Sequence, residues 1–412
     1  MNKQIKKPLV PRLRFPEFQD MSDNFCLNWK IQKLGQISAI NMGVSPRSIF
    51  YNKNGEGLPL LQGKADIKNR LSSPKIYTRE ITKKCARGDL ILSVRAPAGY
   101  IAKVDQTCCI GRGIASIKPF EEYNVDFIFY QLLYLESKWS KLSQGGTFDA
   151  ISGEDIKNFS IKIPFYKEQQ KIADCLSSLD ESIKANIQKL DVLKNHKKGL
   201  MQQLFPCEGE TIPKLRFPEF QDAGEWEETS IGNVCKTFSG GTPSSANKKF
   251  YGGDIPFIRS AEINKEYTEL FLTIEGLKNS SAKLVNKGDI LFALYGANSG
   301  EVALAKQSGA INQAILCLRS SINHEFIHQL FLLKKQWIVA KYIQGGQGNL
   351  SGEIVKSINI SLPRSQEQQK IADCLTSLDE LIAAQSQKIE ALKSHKKGLM
   401  QQLFPAIDEV GI

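Results

Sequence analysis

The sequence lacks the parts that most enzymes and membrane proteins need. It has only four histidines, and none of its nine cysteines stands in a C-x-x-C pair, so neither a zinc ribbon nor a dithiol motif is present. Cys26, Cys85, Cys175, Cys207, Cys235, Cys317 and Cys374 are scattered and Cys108-Cys109 are adjacent, which is no disulfide framework and fits a reducing cytoplasm. Cys175 and Cys374 lie beside an apolar stripe and read as buried small hydrophobes. No run of about 18 apolar residues occurs, and no apolar segment follows the N-terminal lysines, so neither a membrane span nor a signal peptide is expected. No G-x-x-x-x-G-K-[ST] loop exists, since Gly63-Lys64 is followed by Ala65. No asparagine precedes a proline, which removes the Asn-Pro-Pro-aromatic tetrad of amino-methyl transfer.

What is present is ordinary in amount and unusual in arrangement. Apolar content of 42% and charged content of 24% in 412 residues suit a globular chain with two domains. A net charge of +11 and a pI near 9.0 favour a polyanionic partner, most simply nucleic acid. A merely basic protein without such a partner is the alternative. The chain then repeats itself. Residues Pro11 to Asp20 recur as Pro213 to Asp222, and Glu168 to Pro206 recur as Glu367 to Pro405 with roughly thirty of thirty-nine positions identical. Between these near-copies lie two stretches of about 140 residues that match only weakly. A duplicated frame around two diverged inserts points to one scaffold presenting two specificities.

The longer repeat has a heptad seam. Its apolar positions are Ile172, Leu176, Leu179, Ile183, Leu190, Leu193, Leu200 and Leu204, and in the second copy Ile371, Leu375, Leu378, Ile382, Ile389, Leu392, Leu399 and Leu403. Steps of four and three are those of a coiled coil. Both copies interrupt the seam at the same places, Asn186 with Gln385 and Lys197 with Lys396. Each block follows a proline (Pro164, Pro363), contains none, and is stopped by Pro206 or Pro405. Ser365 with Gln368 resembles a capping box. Gly199 and Gly398, each costing about 1 kcal/mol relative to Ala, mark either close approach of another backbone or a tolerated cost. Two such helices in one chain pack most simply on each other, with a matched polar pair fixing register. Homodimerisation through the seam is the alternative. Some 35 helical residues span roughly 50 Å, on the order of fifteen base pairs, enough for a strut holding two domains over separate segments of one duplex.

The inserts read as one mixed α/β fold written twice. Arg87-Gly88-Asp89-Leu90-Ile91-Leu92-Ser93 aligns with Lys287-Gly288-Asp289-Ile290-Leu291-Phe292-Ala293, in each case a turn leading into a buried strand. Gly111 to Lys118 and Ala310 to Leu318 each read as a further strand. Phe127 to Leu135 and Phe326 to Leu333 read as helices, and Phe159 to Ile163 and Ile358 to Leu362 as closing strands. The loops between them carry side chains suited to base edges and phosphates. In the first insert these are Ser45, Arg47, Gln62, Lys64, Lys68, Arg70, Arg95, Arg112 and Gln144. In the second they are Ser239, Thr242, Ser244, Lys248, Arg259, Ser260, Tyr295, Asn298, Asn312, Gln313, Gln344 and Gln347. Flanking glycines would let backbones approach closely.

Taken together, these features resemble the DNA-specificity subunit of type I restriction-modification systems, over essentially the whole chain. The residues that carry the resemblance are Leu13 to Phe18 and Leu215 to Phe220, the loop Ser239-Gly240-Gly241-Thr242-Pro243-Ser244, and the helix ends Lys197 to Pro206 and Lys396 to Pro405. The first insert departs at the opening loop, where Gly43-Val44-Ser45-Pro46 stands. The resemblance implies an α/β (α+β) fold with two target recognition domains separated by two long helices in an antiparallel coiled coil. The expected segments are 1–24, a recognition domain at 25–165, a helical region at 166–206, a second recognition domain at 207–363, and a distal helical region at 364–412. It also implies a bipartite, asymmetric double-stranded DNA target, two methyltransferase subunits and, in the full complex, two restriction subunits. S-adenosylmethionine, ATP and Mg would belong to those partners, and this chain would hold no cofactor and turn nothing over.

Two rivals are a coiled-coil adaptor that never touches DNA and a zinc protease built on His324-Glu325-Phe326-Ile327-His328. The latter is a literal H-E-x-x-H string whose histidines would share a helix face. The repeat argues against it, because the aligned helix has Val125, Asp126 and Phe129 at those places. Glu353 is the one late carboxylate that would complete such a site. His196 and His395, equivalent positions near the helix ends, read as surface or partner-facing.

Overall fold

The computed structural model describes residues 10–19, 29–139, 150–296, 298–343 and 350–406. The two seams become helices Tyr166–Leu204 and Ser365–Leu403, of 39 residues each, about 58 Å at 1.5 Å per residue. Contacts divide the chain into two units, residues 1–187 with 388–412 and residues 188–387. Each long helix therefore starts in one unit and ends in the other.

Within the first unit the start of the first helix lies beside the end of the second, running antiparallel. Leu13 donates its N–H to the Gln402 carbonyl at 3.0 Å, while its neighbour Arg14 grips Glu168 at 2.8 and 2.7 Å. Twelve residues beyond Glu168, Asp180 meets Lys396 at 2.6 Å, so advance along one helix is retreat along the other. The second unit repeats this with the helices exchanged. Leu215 donates to Gln203 at 2.9 Å, Arg216 holds Glu367 at 2.7 Å, and Lys197 meets Asp379 at 2.6 Å. The repeated Leu-Arg-Phe-Pro-Glu-Phe motif is thus a clamp: its amide caps a carbonyl at one helix end and its arginine binds the start of the other helix.

Several expectations about the helices are corrected here. Lys197 and Lys396, equivalent in the two copies, each take an aspartate of the opposite helix. Ile172, Leu176, Ile371 and Leu375 are buried in the globular cores as well as along the seam. Ile183, Gln385 and Ile389 are buried, whereas Leu179, Asn186, Leu190, Leu193, Leu378, Ile382 and Leu392 are half-buried, since a helix pair covers only one side of each seam. No capping box forms at Ser365, which lies inside the first turn; the Gln368 amide donates instead to the Pro363 carbonyl at 2.8 Å. A Cβ at Gly199 or Gly398 would meet nothing within 4 Å, so no backbone approaches there. Cys175 and Cys374 are half-buried rather than buried.

Each insert is two packed sheets with a helix on one of them. In the first unit a six-stranded sheet includes Ser38–Met42, Ile114–Pro119, Leu90–Ser93 and Ile101–Lys103, and a five-stranded sheet is centred on Leu58–Leu61 and Cys108–Ile110. Strand Leu90–Ser93 is buried on both faces. Leu90 and Leu92 face the helix Val125–Tyr134 and its core, while Ile91 faces the second sheet, the alternation that a period of two imposes. The second unit does the same with Ile290 and Phe292 on one side and Leu291 and Ala293 on the other. Gly88 and Gly288 precede these strands at φ of 90° and 91°, where a side chain would be strained.

The expected strand at Ala310 to Leu318 is broken in two, and the one at Gly111 to Lys118 starts only at Ile114, after a turn at 111–113. Cys108–Ile110 and Ile114–Pro119 belong to different sheets, as do Gly309–Ile311 and Ile315–Ser320. In the second unit the Asn312 side chain accepts the Ala314 N–H at 3.2 Å and turns the chain between them.

Each insert leaves the frame on paired strands. Lys30–Lys33 pairs antiparallel with Ser160–Ile163, and Glu227–Ser230 with Asn359–Leu362. The frame also completes each core with the same residues. Ile172, Ala173, Leu176, Met400, Leu403 and Phe404 serve the first; Ile371, Ala372, Leu375, Met201, Leu204 and Phe205 serve the second. Phe404 joins Trp29 and Phe127 with ring centroids 5.6 to 6.3 Å apart, and Phe205 joins Trp226 and Phe326 at 5.2 to 6.1 Å, separations at which aromatic pairs attract. No helix among the described residues is long and apolar enough to cross a membrane.

Candidate nucleic-acid interface

The broken strands are what gather the loops. In the first unit the turn 111–113 sits between the opening loop and residue 62. Val44 donates to the Ile110 carbonyl at 3.0 Å, and Ser45 Oγ accepts the Arg112 N–H at 3.1 Å. A Cβ at Gly43 would lie 2.2 Å from the Gly111 oxygen, and one at Gly113 would lie 2.0 Å from the Gln62 oxygen, so both contacts require glycine. The Gly113 carbonyl accepts from Val94 at 2.9 Å, which brings Arg95 to the same cluster. Ser45, Gln62, Arg95 and Arg112 thus come together. Arg95, Arg112 and Lys68 are exposed, and none has a carboxylate partner among the described residues. Lys64 lies over the Tyr100 ring at 5.1 Å.

Other arginines of the first insert are already engaged. Arg70 stacks on Tyr100 at 3.8 Å and binds Glu136 at 2.6 and 2.8 Å, tying loop to core. Arg47 is held by Glu80 at 2.8 Å and lies over Phe50. The Arg47 backbone amide and guanidinium together keep the Glu80 carboxyl below the usual range. Gln144 lies outside the described residues.

The second unit builds the same cluster from different side chains. A Cβ at Gly240 would come within 1.8 Å of the Ile311 oxygen. Thr242 Oγ1 donates to Gln313 Oε1 at 2.5 Å, and Asn312 shapes the turn. Ser239 ends strand Cys235–Ser239. Tyr295 is half-buried beside Leu294, whose N–H donates to Ala314 at 2.8 Å and whose carbonyl accepts from Leu350 at 2.9 Å. Asn298 Nδ2 donates to the Ser260 carbonyl at 3.2 Å. Ser244 and Lys248 are exposed at the short turn before Tyr251. Both opening loops are anchored alike: the Tyr51 hydroxyl donates to Pro46 at 2.9 Å and the Tyr251 hydroxyl to Pro243 at 2.6 Å. The first loop's departure in sequence leaves its anchoring intact.

Arg259 is engaged rather than free, with Glu262 at 2.8 Å and Glu269 at 2.6 Å. Burial pushes the Glu262 carboxyl up, but hydrogen bonds from Arg259, from the Glu269 and Arg259 amides and from Thr268 outweigh it and hold it at about 2. Gln344 and Gln347 lie outside the described residues. Equivalent positions therefore differ in chemistry: Arg112 against Gln313, Ser45 against Thr242, Arg95 against Tyr295. Two clusters of one geometry carry unlike donors and acceptors.

Sequence reasoning missed the partners that fix these loops. The spacing Arg259-x-x-Glu262 was a readable signal for one of them; nothing local marks Tyr100, Glu80 or Glu136. It also missed Asp180 and Asp379, although both are identical between the copies.

The histidine string does not converge on a shared point. His324 Nε2 sits 3.1 Å from the Ser320 amide, whereas His328 is turned inward near Asp379 and Lys197. Glu353 is exposed and paired with Lys356 at 2.5 Å. His196 and His395 are exposed. Burial, with Lys197 and Lys306 adding to it against Asp379 and Glu325, lowers His328 to about 4. Its neutral form is favoured by folding, so stability is complete above the unfolded pKa near 6.5 and falls as pH drops towards 4. The expected loss is on the order of 3 kcal/mol. His328→Phe, which installs the residue found at Phe129, should flatten that part of the stability–pH profile in urea titrations. An unchanged slope would show that His328 does not titrate there.

Comparison with known proteins resolves what such a frame is for. The model of the type I restriction modification DNA specificity domain matches residues 27–195 and again 223–394. The chain belongs to that family. It carries the specificity domain twice. The MjaIX type I restriction enzyme specificity subunit of Methanocaldococcus jannaschii is 24% identical over 402 residues, 91% of this chain and 92% of that one. The MjaX specificity subunit of the same organism is 38% identical over 181 residues, 43% of this chain and 42% of that relative. The crystal structure of the type I S subunit from M. genitalium shares the fold, with a TM-score of 0.64 and 16% identity over 97% of this chain and 100% of that one. As a type I specificity subunit the chain has two target recognition domains and is the non-catalytic component of its system. It acts on DNA with methyltransferase and restriction subunits.

Proposed function

We propose that the two loop clusters read the two halves of one bipartite, asymmetric double-stranded DNA site. The domain at 25–165 reads one half and the domain at 207–363 the other, while the helical regions 166–206 and 364–412 set the gap. The observation that carries this reading is the repeated frame around unlike clusters: Arg112 and Arg95 suit guanine edges and phosphates, whereas Gln313 and Thr242 suit adenine or mixed edges. Exposed residues of the frame are also identical in both copies, among them His196 and His395, Lys198 and Lys397, and Gln202 and Gln401. No core requirement explains that identity. A surface presented twice supports docking of two methyltransferase subunits and, in the full complex, two restriction subunits. A reducing cytoplasm is the expected location.

The test is binding of the chain, with and without its methyltransferase subunits, to pooled random duplexes across salt concentrations. Contacts to six or more phosphates should cost about 10³-fold or more in affinity between 50 and 200 mM salt. The selected duplexes should share two short motifs at a constant gap. A flat salt response with no enriched motif would leave the adaptor reading standing instead.

A further inference from the structure

Three elements meet at one polar point in each unit. In the first, Asp180 of helix Tyr166–Leu204 accepts from Lys396 of helix Ser365–Leu403 at 2.6 and 2.7 Å. It also accepts from the Tyr130 hydroxyl, on the domain helix Val125–Tyr134, at 2.7 Å. In the second unit, Asp379 accepts from Lys197 at 2.6 Å and from Gln329 Nε2, on the domain helix His324–Ile338, at 2.8 Å. Tyr130 and Gln329 occupy the same place in their helices, three residues beyond the core phenylalanines Phe127 and Phe326. The arrangement therefore occurs twice with one seat, an aspartate and a lysine from opposite helices, and two different third members.

The lysines are the covered partners. Their side chains are 10% and 13% exposed, against 42% and 43% for the aspartates. An ammonium covered to that extent is tolerated only while its carboxylate faces it. Sliding one helix by a heptad would separate both pairs, and a parallel pairing of like helices would set lysine against lysine. The apolar seam makes this distinction less sharply, because a heptad shift returns its apolar residues to apolar places and misplaces only Asn186 and Gln385. The third member then joins the recognition domain to that register through a directed hydrogen bond, and the Tyr130 hydroxyl also lies 3.2 Å from Ser177 Oγ on the same helix as Asp180.

Resting on the reading of a spaced, two-part DNA site, we propose that Tyr130–Asp180–Lys396 and Gln329–Asp379–Lys197 are positioning residues that determine how many base pairs are accepted between the half-sites. They act through the seating of each recognition domain on its helix pair and touch no DNA themselves.

The experiment uses the full chain assembled with its methyltransferase subunits and duplexes whose half-sites, once selected, are separated by gaps differing one base pair at a time. Tyr130→Phe deletes one hydroxyl and leaves the Asp180–Lys396 pair in place. It should reduce the preference for the optimal gap over its neighbours by up to about tenfold, the worth of one hydrogen bond to a charged group. Asp180→Lys should reduce or shift that preference about tenfold or more, and adding Lys396→Asp should restore it with the charges reversed. Lower thermal stability with the ranking of gaps unchanged in every variant is what a merely structural role predicts, and it would overturn the proposal. So would a folded double variant that recovers nothing. A wild-type complex with no gap preference would instead overturn the two-part reading, and this inference with it.

Discussion

Exchanging residues 30–163 for the corresponding segment of a specificity subunit with another target should replace one half-site and leave the other as it was. The expectation rests on how the insert is joined. Lys30 pairs with Ile163 and Lys33 with Ser160, so both cuts fall on adjacent antiparallel strands and the ends of a transplanted segment are already together. The core that the segment must fit is supplied by Ile172, Ala173, Leu176, Met400, Leu403 and Phe404. Six equivalent residues of the same types already accept the second insert, whose sequence matches the first only weakly. The proposed readers Ser45, Gln62, Arg95 and Arg112 all travel with the segment. Because specific binding exceeds nonspecific binding by about 10³-fold or more, selection from random duplexes should show a complete change of one motif. Altered bases in both motifs would mean that the two clusters do not read independently.

Replacing Arg14 by alanine should destabilise the first unit by about 3–5 kcal/mol, the usual cost of leaving one member of a buried ion pair behind. Arg14 and Glu168 are 7% and 1% exposed and joined by two hydrogen bonds. Without the guanidinium, Glu168 stays buried at a helix start with no cation to face it. Arg216→Ala should act likewise on the second unit, where Glu367 is 0% exposed. Urea unfolding monitored by tryptophan fluorescence checks this, since Trp29 and Trp226 sit in the two cores. Arg14→Met combined with Glu168→Leu should recover most of the loss, because an apolar pair of similar volume carries no desolvation penalty. A loss below about 1 kcal/mol for Arg14→Ala would mean that water reaches Glu168 and the clamp is a surface contact.

The parts legible in the sequence are those governed by local periodicity. Steps of three and four from Ile172 to Leu193 can only be a helix seam, and prolines at 206 and 405 end it. The runs Leu90 to Ser93 and Ile290 to Ala293, each entered through a glycine turn, can only be buried strands. The breaks at Arg112 and Gln313 were hidden for the same reason: apolar residues continue on both sides, and only hydrogen bonding to different sheets shows that the chain changes layer. Among the candidate readers, glycines signalled which loops would touch but not which arginines would be free. Arg47, Arg70 and Arg259 looked like Arg95 and Arg112 until their glutamates were in view.

The sequence alone determined that there is one frame, used twice, around two unlike inserts, because repetition and heptad spacing are properties of order along the chain. The tertiary structure decided which charges meet. Arg14 finds Glu168 across 154 residues and Lys197 finds Asp379 across 182. No local propensity specifies such pairs; they exist because a long helix begun in one unit ends in the other, and burial there admits a charge only beside its opposite.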